Sequence, residues 1–277
     1  MDILKAVFGG IIQGLTEFLP VSSSGHLAIF NNLFDFGFDD AILFTLILHL
    51  GTLVAVFIAY FKDIKELFVG FCTLVVRIFM GKFKYKNLTA GERFVILIFV
   101  ATVPLVIGAL IDKKIEWLSG NTKLIGGFLI INSVILFLSD RIKTPNVSVT
   151  EKTANPKQAL LVGLWQFIAL PPGISRSGMT ITGGLMNGFN RTFAVKFSFI
   201  MSIPAILGGS VFKIADFVKS GEEITRSMIA FCAVGFICAF IFGFFAIILL
   251  RMIAKNRRFY IFAIYCLIAG LLALIFG

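Results

Sequence analysis

Six apolar segments, most of them close to the length that a helix needs to cross a membrane, dominate the chain. A transmembrane helix requires about 20 consecutive apolar residues. Only 14% of the residues are charged, whereas a soluble domain carries about 25%. The sequence therefore predicts an all-α polytopic membrane protein. The predicted spans are 41–61, 93–111, 124–139, 192–213, 227–250 and 259–276.

The formal net charge of +10 arises mainly from loops between these segments. Most Lys and Arg residues lie in 62–92, 140–157 and 251–258, here called the basic loops. Alternating spans put the basic loops on one side, which the positive-inside rule makes cytoplasmic, and both termini on the other. The charge thus indicates topology and contact with membrane lipids, and no nucleic-acid partner is expected. Within 62–92, an amphipathic segment predicts a helix at the headgroup surface.

Two further apolar runs, 3–19 and 158–170, do not fit a simple span. The first contains a carboxylate and the second has only 13 residues, and a proline follows each run closely, at Pro20 and Pro171. Irregular backbone is tolerated at membrane depth only where protein or a water-filled cavity surrounds it. Both runs are therefore predicted to be re-entrant helices that enter the membrane and turn back.

The two halves of the chain resemble each other. Residues 14–19 match 163–168 at an offset of 149, and residues 22–25 match 175–178 at an offset of 153. Each half then holds one re-entrant segment and three spans, and an odd number of spans inverts the second copy. We interpret the chain as one integral membrane domain, 1–277, with repeat 1 at about 1–142, a linker at about 143–157 and repeat 2 at about 158–277.

Polar residues form an island at the end of the first re-entrant run. A carboxylate such as Glu17 costs about 2.5–3.5 kcal/mol near the membrane centre on insertion scales, so it needs a partner. Gln13, one helical turn earlier, adds an acceptor for a divalent cation or a hydrogen-bond partner. His26 is the natural acid or base near neutral pH. The alternatives are a buried neutral carboxylate, a structural histidine, and serines 22–24 that cap a helix.

A second island surrounds Arg176, whose planar guanidinium matches phosphate oxygens. Its small neighbours, among them Gly173, Ser175 and Ser177, let backbone N–H groups approach the same anion. Arg176 could instead extend to the membrane interface. The presence of an acid, a base, hydroxyls and a guanidinium in repeat-related islands favours phosphoryl chemistry at one shared site. His49 lies in the first span, where it could line a cavity, but no motif surrounds it and we expect a structural role for it.

At these residues the sequence resembles a known family. Gln13-x-x-x-Glu17, the string PVSSSGH at 20–26 and the string PGISRSGMT at 172–180 are similar to the two signatures of the bacterial undecaprenyl pyrophosphate phosphatase (bacitracin-resistance) family. The resemblance implies a multi-pass enzyme of the bacterial cell membrane that hydrolyses undecaprenyl pyrophosphate to undecaprenyl phosphate and inorganic phosphate, with Mg²⁺ or Ca²⁺ assisting. It also implies recycling of the lipid carrier for peptidoglycan synthesis, and bacitracin resistance.

The resemblance also implies roles for single residues. Glu17, with Gln13, is expected to bind the metal or to orient the nucleophile, although Glu is common in the family where this chain has Gln13. The sequence leaves open whether the nucleophile is His26, Ser23 or water. The residues expected to bind the substrate are Arg176 with Ser175, Ser177 and Thr180, together with Ser22, Ser24 and Gly173.

One alternative function follows from the architecture. Inverted repeats with broken helices are typical of transporters, so a transporter or flippase of the polyprenyl carrier lipid stays open beside the phosphatase. The charge count places the first island on the outer side, and we expect the site to open extracytoplasmically. A homodimer is compatible with this interpretation.

Overall fold

The computed structural model describes residues 3–34, 42–109, 115, 117–142, 148–221 and 224–277. Residues 41, 110–111 and 143–147, which the predictions assign to two spans and to the linker, lie outside the described residues. Within the described ranges the chain forms eleven α-helices, which confirms the all-α fold class. They are α1 (Ile3–Phe18), α2 (Ser23–Phe34), α3 (Ile42–Ala59), α4 (Phe61–Phe79), α5 (Ala90–Ala109), α6 (Thr122–Ser139), α7 (Pro156–Ile168), α8 (Arg176–Met186), α9 (Arg191–Ser220), α10 (Arg226–Lys255) and α11 (Tyr260–Phe276).

Five of the described helices, α3, α5, α6, α9 and α10, are long and apolar enough to cross a membrane. The sixth predicted span corresponds to α11, an apolar helix of 17 residues at the lower end of the required length. Helix α9 continues to Ser220, seven residues beyond the predicted end of its span. Large apolar side chains such as Phe99, Ile131 and Phe245 are exposed on these helices. The chain is therefore an integral membrane protein whose apolar surface faces lipid.

Each of the two shorter apolar runs folds into a helix that breaks and restarts. Helix α1 ends just before Pro20, and α2 starts three residues after it. Helix α7 ends three residues before Pro171, and α8 starts at Arg176. Proline lacks an N–H and clashes with the preceding turn, so neither first helix continues through these positions. We call α1–α2 the first broken pair and α7–α8 the second. Their re-entrant placement in the membrane stays a prediction.

The two halves interlock through the first helix of each broken pair. Helix α1 packs mainly on α10, and α7 packs mainly on α5. Both contacts require glycine, because a Cβ at Gly14 would lie 2.7 Å from the Ala239 carbonyl oxygen and one at Gly163 would collide with the Ala101 carbonyl. Gly14 and Gly163 are equivalent in the repeat, and α5 and α10 are the second spans of their halves. The packing follows the repeat, and the inversion of the second half stays a prediction.

Charged residues connect several helix ends at one end of the bundle. Lys196 on α9 pairs with Asp63 at the start of α4 and, at 2.7 Å, with Glu151 between α6 and α7. Arg251 near the end of α10 donates to the hydroxyl of Tyr60 at 3.0 Å, just after α3. These contacts bring parts of all three basic loops together, and we call this the basic end of the bundle.

Candidate active site

Asn132, a fully buried residue of α6, holds the two helix breaks together. Its Nδ2 donates to the Pro20 carbonyl oxygen at 2.9 Å, and its Oδ1 accepts from the Ser175 backbone N–H at 3.1 Å. The breaks also contact each other directly, because the Gly173 N–H donates to the Ser22 hydroxyl at 3.1 Å. Gly173 has a φ of 101°, which glycine adopts without a Cβ penalty.

Equivalent hydrogen bonds build the starts of α2 and α8. The hydroxyl oxygens of Ser22 and Ser175 each accept from the backbone N–H three residues later, at 3.3 and 3.2 Å. Both serines thus satisfy N–H groups that the first turn of a helix leaves without partners. Ser22 has a φ of 72°, a conformation that costs a non-glycine residue about 1–3 kcal/mol. The first residues of the two helices are Ser23 and Arg176.

The carboxylate of Glu17 joins the two polar islands. Its Oε2 accepts from the Ser23 hydroxyl at 2.6 Å and from Gln13 Nε2 at 2.9 Å, and its Oε1 accepts from Arg176 Nη2 at 2.6 Å. Glu17 is only 8% exposed, and a buried charge is stable only when it is paired and hydrogen-bonded. The structure therefore brings Gln13, Glu17, Ser23 and Arg176 into one contact group.

A cavity of about 240 Å³ lies beside this group. One water molecule needs at least about 10–15 Å³ of such volume, so the cavity has room for a polar group of several heavy atoms. Apolar side chains, among them Leu46, Leu105 and Ile206, line part of its wall. The polar part of the wall includes Glu17, His49, Gln166, Arg176 and Lys213.

His49 lines this cavity, and the structural role expected from the sequence stays a prediction. Its Nδ1 lies 2.8 Å from the Thr45 carbonyl oxygen, and because a carbonyl only accepts, Nδ1 carries the hydrogen. Its Nε2 is 4.0 Å from Glu17 Oε2, and the side chain is 28% exposed. No motif in the sequence indicated that His49 lies beside Glu17, since it belongs to neither island.

His26 is held away from the cavity. Its Nδ1 lies 2.7 Å from the Ser22 carbonyl oxygen and must carry the hydrogen of that bond. In the neutral ring, Nε2 then accepts from the Tyr265 hydroxyl at 2.8 Å, and the two rings stack with centroids 5.5 Å apart. As far as the chain is described, the cavity wall includes neither His26 nor Ser23, but Ser23 donates to Glu17, which does line it. The structure places this predicted residue against α11 rather than beside Glu17 and Arg176.

The hydroxyls predicted to hold phosphate form bonds within the protein. Ser175 and Ser177 are linked at 3.1 Å, and Ser177 donates to the Leu19 carbonyl at 3.3 Å. The Thr180 hydroxyl lies 2.6 Å from that of Ser198, on α9. In the described structure none of these residues lines the cavity, and the same is true of the predicted ligands Ser22, Ser24 and Gly173.

Comparison with known proteins identifies the family. The family model described as bacitracin resistance protein BacA matches residues 6–272. The chain belongs to the BacA family. The match includes all of α2 to α10 and all but the first three residues of α1 and the last four of α11, so it confirms the resemblance drawn from the two signatures.

Individual relatives of this BacA-family chain match along nearly their whole length. A protein of Methanosphaera stadtmanae named undecaprenyl-diphosphatase is 39% identical, with 99% of this chain and 98% of the relative aligned. Proteins of the same name from Alkaliphilus metalliredigens and Christiangramia forsetii are each 38% identical, with 100% of this chain and 99% of each relative aligned.

The donor set of this BacA-family site does not form an all-protein metal cage. Among the described residues, no group of three or more His, Cys, Asp or Glu side chains could hold a metal ion. Both oxygens of Glu17 already accept hydrogen bonds, and Gln13 directs its Nε2 at that carboxylate. Mg²⁺ is usually bound by one or two carboxylates together with substrate phosphates. The predicted Mg²⁺ or Ca²⁺ therefore stays a prediction.

Four polar residues that the sequence interpretation did not assign to the site shape it. Asn132 and Tyr265 hold the elements that carry the site, and His49 and Gln166 line the cavity. Each lies inside an apolar run, where a polar side chain is costly and is retained for a contact or a function. A polar residue inside a predicted span is therefore the sequence signal by which these four residues could have been identified.

Proposed function

We propose that this BacA-family protein is an undecaprenyl-diphosphate phosphatase, which converts undecaprenyl pyrophosphate to undecaprenyl phosphate and inorganic phosphate. The observation that carries the proposal is the Ser23 hydroxyl, which donates to Glu17 at 2.6 Å while Arg176 binds the other oxygen of that carboxylate. A hydroxyl beside a base and a guanidinium suits nucleophilic attack on phosphorus. The family and the names of the relatives support the choice of substrate.

In the proposed first step, Ser23 Oγ attacks the terminal phosphorus and its proton passes to Glu17. The Oγ–P bond forms, the bridging P–O bond breaks, and undecaprenyl phosphate leaves. Arg176 Nη1 is buried and has no hydrogen-bond partner in the described structure, so it can donate to the phosphoryl oxygens. A fixed donor aimed at developing charge lowers the barrier without reorganisation.

The second step hydrolyses the seryl phosphate. Water attacks the phosphorus, Ser23 Oγ leaves, and Glu17 returns its proton to that oxygen. We assign the proton released by the water to His49, whose Nε2 faces the carboxylate at 4.0 Å. Inorganic phosphate then leaves, and His49 passes this proton to solvent. His49 replaces His26 in this role because the nitrogens of His26 are engaged by Ser22 and Tyr265.

The proposed substrate places its two chemical parts in different surroundings. The diphosphate enters the cavity, whose volume of about 240 Å³ suits the head group. The polyprenyl chain stays among apolar helices outside it. Lys213, at the cavity wall, follows Arg191 by 22 residues along α9, so it lies well away from the basic end. With the basic end in the cytoplasm, the site opens to the extracytoplasmic side of the cell membrane.

The two steps above assign no role to the divalent cation. Since the protein offers few oxygens to it, we propose that Mg²⁺ or Ca²⁺ arrives bound to the diphosphate. Purified protein dialysed against a chelator should regain phosphate release when either ion is titrated back. The ion concentration required should then depend on the substrate concentration, because the substrate supplies the ligands.

The proposed function is tested by inorganic phosphate release from undecaprenyl pyrophosphate in detergent. We expect release by the purified protein, and a phosphorylated peptide containing Ser23 after rapid quenching and mass spectrometry. A lipid transporter would release no phosphate in detergent. Phosphate on His26 instead of Ser23 would contradict the proposed chemistry. No release of inorganic phosphate would contradict the proposed function.

A further inference from the structure

Gln166 is a buried polar residue that the reaction proposed above does not use. It lies on α7, is 1% exposed and lines the cavity together with Glu17 and Arg176. In the described structure neither Oε1 nor Nε2 of its amide has a hydrogen-bond partner. Buried polar groups in proteins are almost always paired, and each exception requires an explanation.

The neighbouring groups indicate what the missing partner is. Arg176 Nη1 is also buried and lacks a partner in the described structure, and it belongs to the wall of the same cavity. Two side chains with an unpaired N–H donor, one charged and one neutral, thus line the same small cavity, whose wall carries a single carboxylate among the described residues. Such a pair of donors suits an anion with several acceptor oxygens, as a phosphate has.

We propose that Gln166 binds a phosphate group of the substrate, its Nε2–H donating to a non-bridging oxygen while Arg176 binds another. This inference rests on the proposed function, because it assumes a diphosphate in the cavity. The amide oxygen accepts from a water or from a protonated phosphate oxygen. Gln166 thereby fixes the phosphate relative to Ser23 and remains uncharged itself.

The repeat explains why an amide is required at this position. Gln166 is the counterpart of Glu17, 149 positions later in the chain. A carboxylate at both positions would put two negative charges beside an anionic substrate, and like charges disfavour binding at short distance. A glutamine keeps the shape of the side chain, removes the charge and adds a donor.

The test uses the full-length protein in detergent with undecaprenyl pyrophosphate. Gln166→Met keeps the volume and removes both polar atoms, and Gln166→Glu keeps the shape and adds a charge. We expect KM to rise about tenfold in Gln166→Met, since a hydrogen bond to a charged group is worth about that factor or more. The increase should be larger in Gln166→Glu. The inhibition constant of inorganic phosphate should rise in parallel, while the melting temperature of Gln166→Met stays native.

Thr182→Val is the matched control, because the Thr182 hydroxyl is also buried without a partner in the described structure but lies outside the cavity wall. It should keep native KM and phosphate inhibition. If the wild-type protein releases phosphate while Gln166→Met and Gln166→Glu keep native KM and phosphate inhibition, the role of Gln166 is refuted and the proposed function stands. A decrease in kcat without a change in KM also refutes the role of Gln166. So does an increase in KM that is accompanied by a fall in melting temperature. If the wild-type protein releases no phosphate, the proposed function itself fails.

Discussion

The two broken pairs share their backbone construction and differ in the side chains that it presents. In each, a serine hydroxyl caps the second helix, and the first residue of that helix contacts Glu17. That residue is Ser23 in the first pair and Arg176 in the second, 153 positions later. The helix before the break carries Glu17 in the first pair and Gln166 in the second.

The difference shows how a duplicated element can supply both halves of one site. The first broken pair provides the negative group and the hydroxyl, and the second provides the cation and a neutral amide. Had both copies kept the same residues, the cavity would contain either two carboxylates or two guanidiniums. Because Asn132 bonds to both breaks, the two sets of side chains meet at fixed positions. The two broken pairs thus share their backbone geometry, while one carries the negative charge of the site and the other carries the positive charge.

The largest expected effect is the loss of the hydroxyl from the first pair. Ser23→Ala should lower kcat for phosphate release about 10³-fold or more, because the proposed nucleophile is removed. The control is Ser139→Ala, a buried serine whose hydroxyl bonds to the Leu136 carbonyl within α6. It should keep near-native kcat. A Ser23→Ala protein with native kcat would assign the nucleophile to water or His26.

Exchanging the two equivalent polar residues tests whether the pairs are interchangeable. Glu17→Gln should lower kcat about 10²–10⁴-fold, the usual contribution of a general base. Adding Gln166→Glu to this variant should not restore activity, because the Ser23 hydroxyl contacts the side chain at position 17. The measurement is kcat of the single and double variants. Restored activity in the double variant would show that either pair can supply the base.

A smaller effect is expected from His49, which belongs to neither pair. His49→Gln should lower kcat about 100-fold, the lower end of the usual contribution of a general base, and leave KM close to native, since it removes a proton acceptor but no group assigned to phosphate binding. Steady-state kinetics over a range of substrate concentrations separates the two parameters. Native kcat in this variant would show that His49 is not the proton acceptor and would support the structural role expected from the sequence.

The smallest effect is expected from the contact that holds α2 against α11. Tyr265→Phe removes the hydroxyl that bonds to His26 Nε2 and should cost about 0.5–1.5 kcal/mol of stability. The melting temperature in detergent should fall by a few degrees, with kcat changed only a few-fold. A hundredfold loss of kcat at native stability would give the His26–Tyr265 pair a chemical role.

The sequence predicted those parts of the fold that depend on continuous apolar segments and on residues that end helices. Continuous apolar runs can be buried only in lipid or in a helix bundle, and prolines such as Pro20 stop helices locally. Both effects act over a few residues and are visible in the sequence. The meeting of Glu17 with Arg176 was predicted as well, because the repeat relates the two islands.

The remaining parts depend on contacts between distant segments. His26 looked like the acid or base because of its neighbours in the sequence, yet its partner Tyr265 is 239 residues away. His49 enters the site only because α3 packs near α1, and no motif records that packing. Gln166 matched Glu17 in the repeat comparison, but its burial without a partner depends on the assembled cavity.

The ion pair between Glu17 and Arg176 has a consequence for how the protein is made. The two residues are separated by 159 positions. At a synthesis rate of about 5–20 residues per second, the carboxylate leaves the ribosome roughly 8–32 s before its cation. Until then, Gln13 and Ser23 are the only groups among its hydrogen-bond partners in the described structure that the first half supplies to Glu17. The ion pair of the site therefore forms only after both halves of the chain have been made.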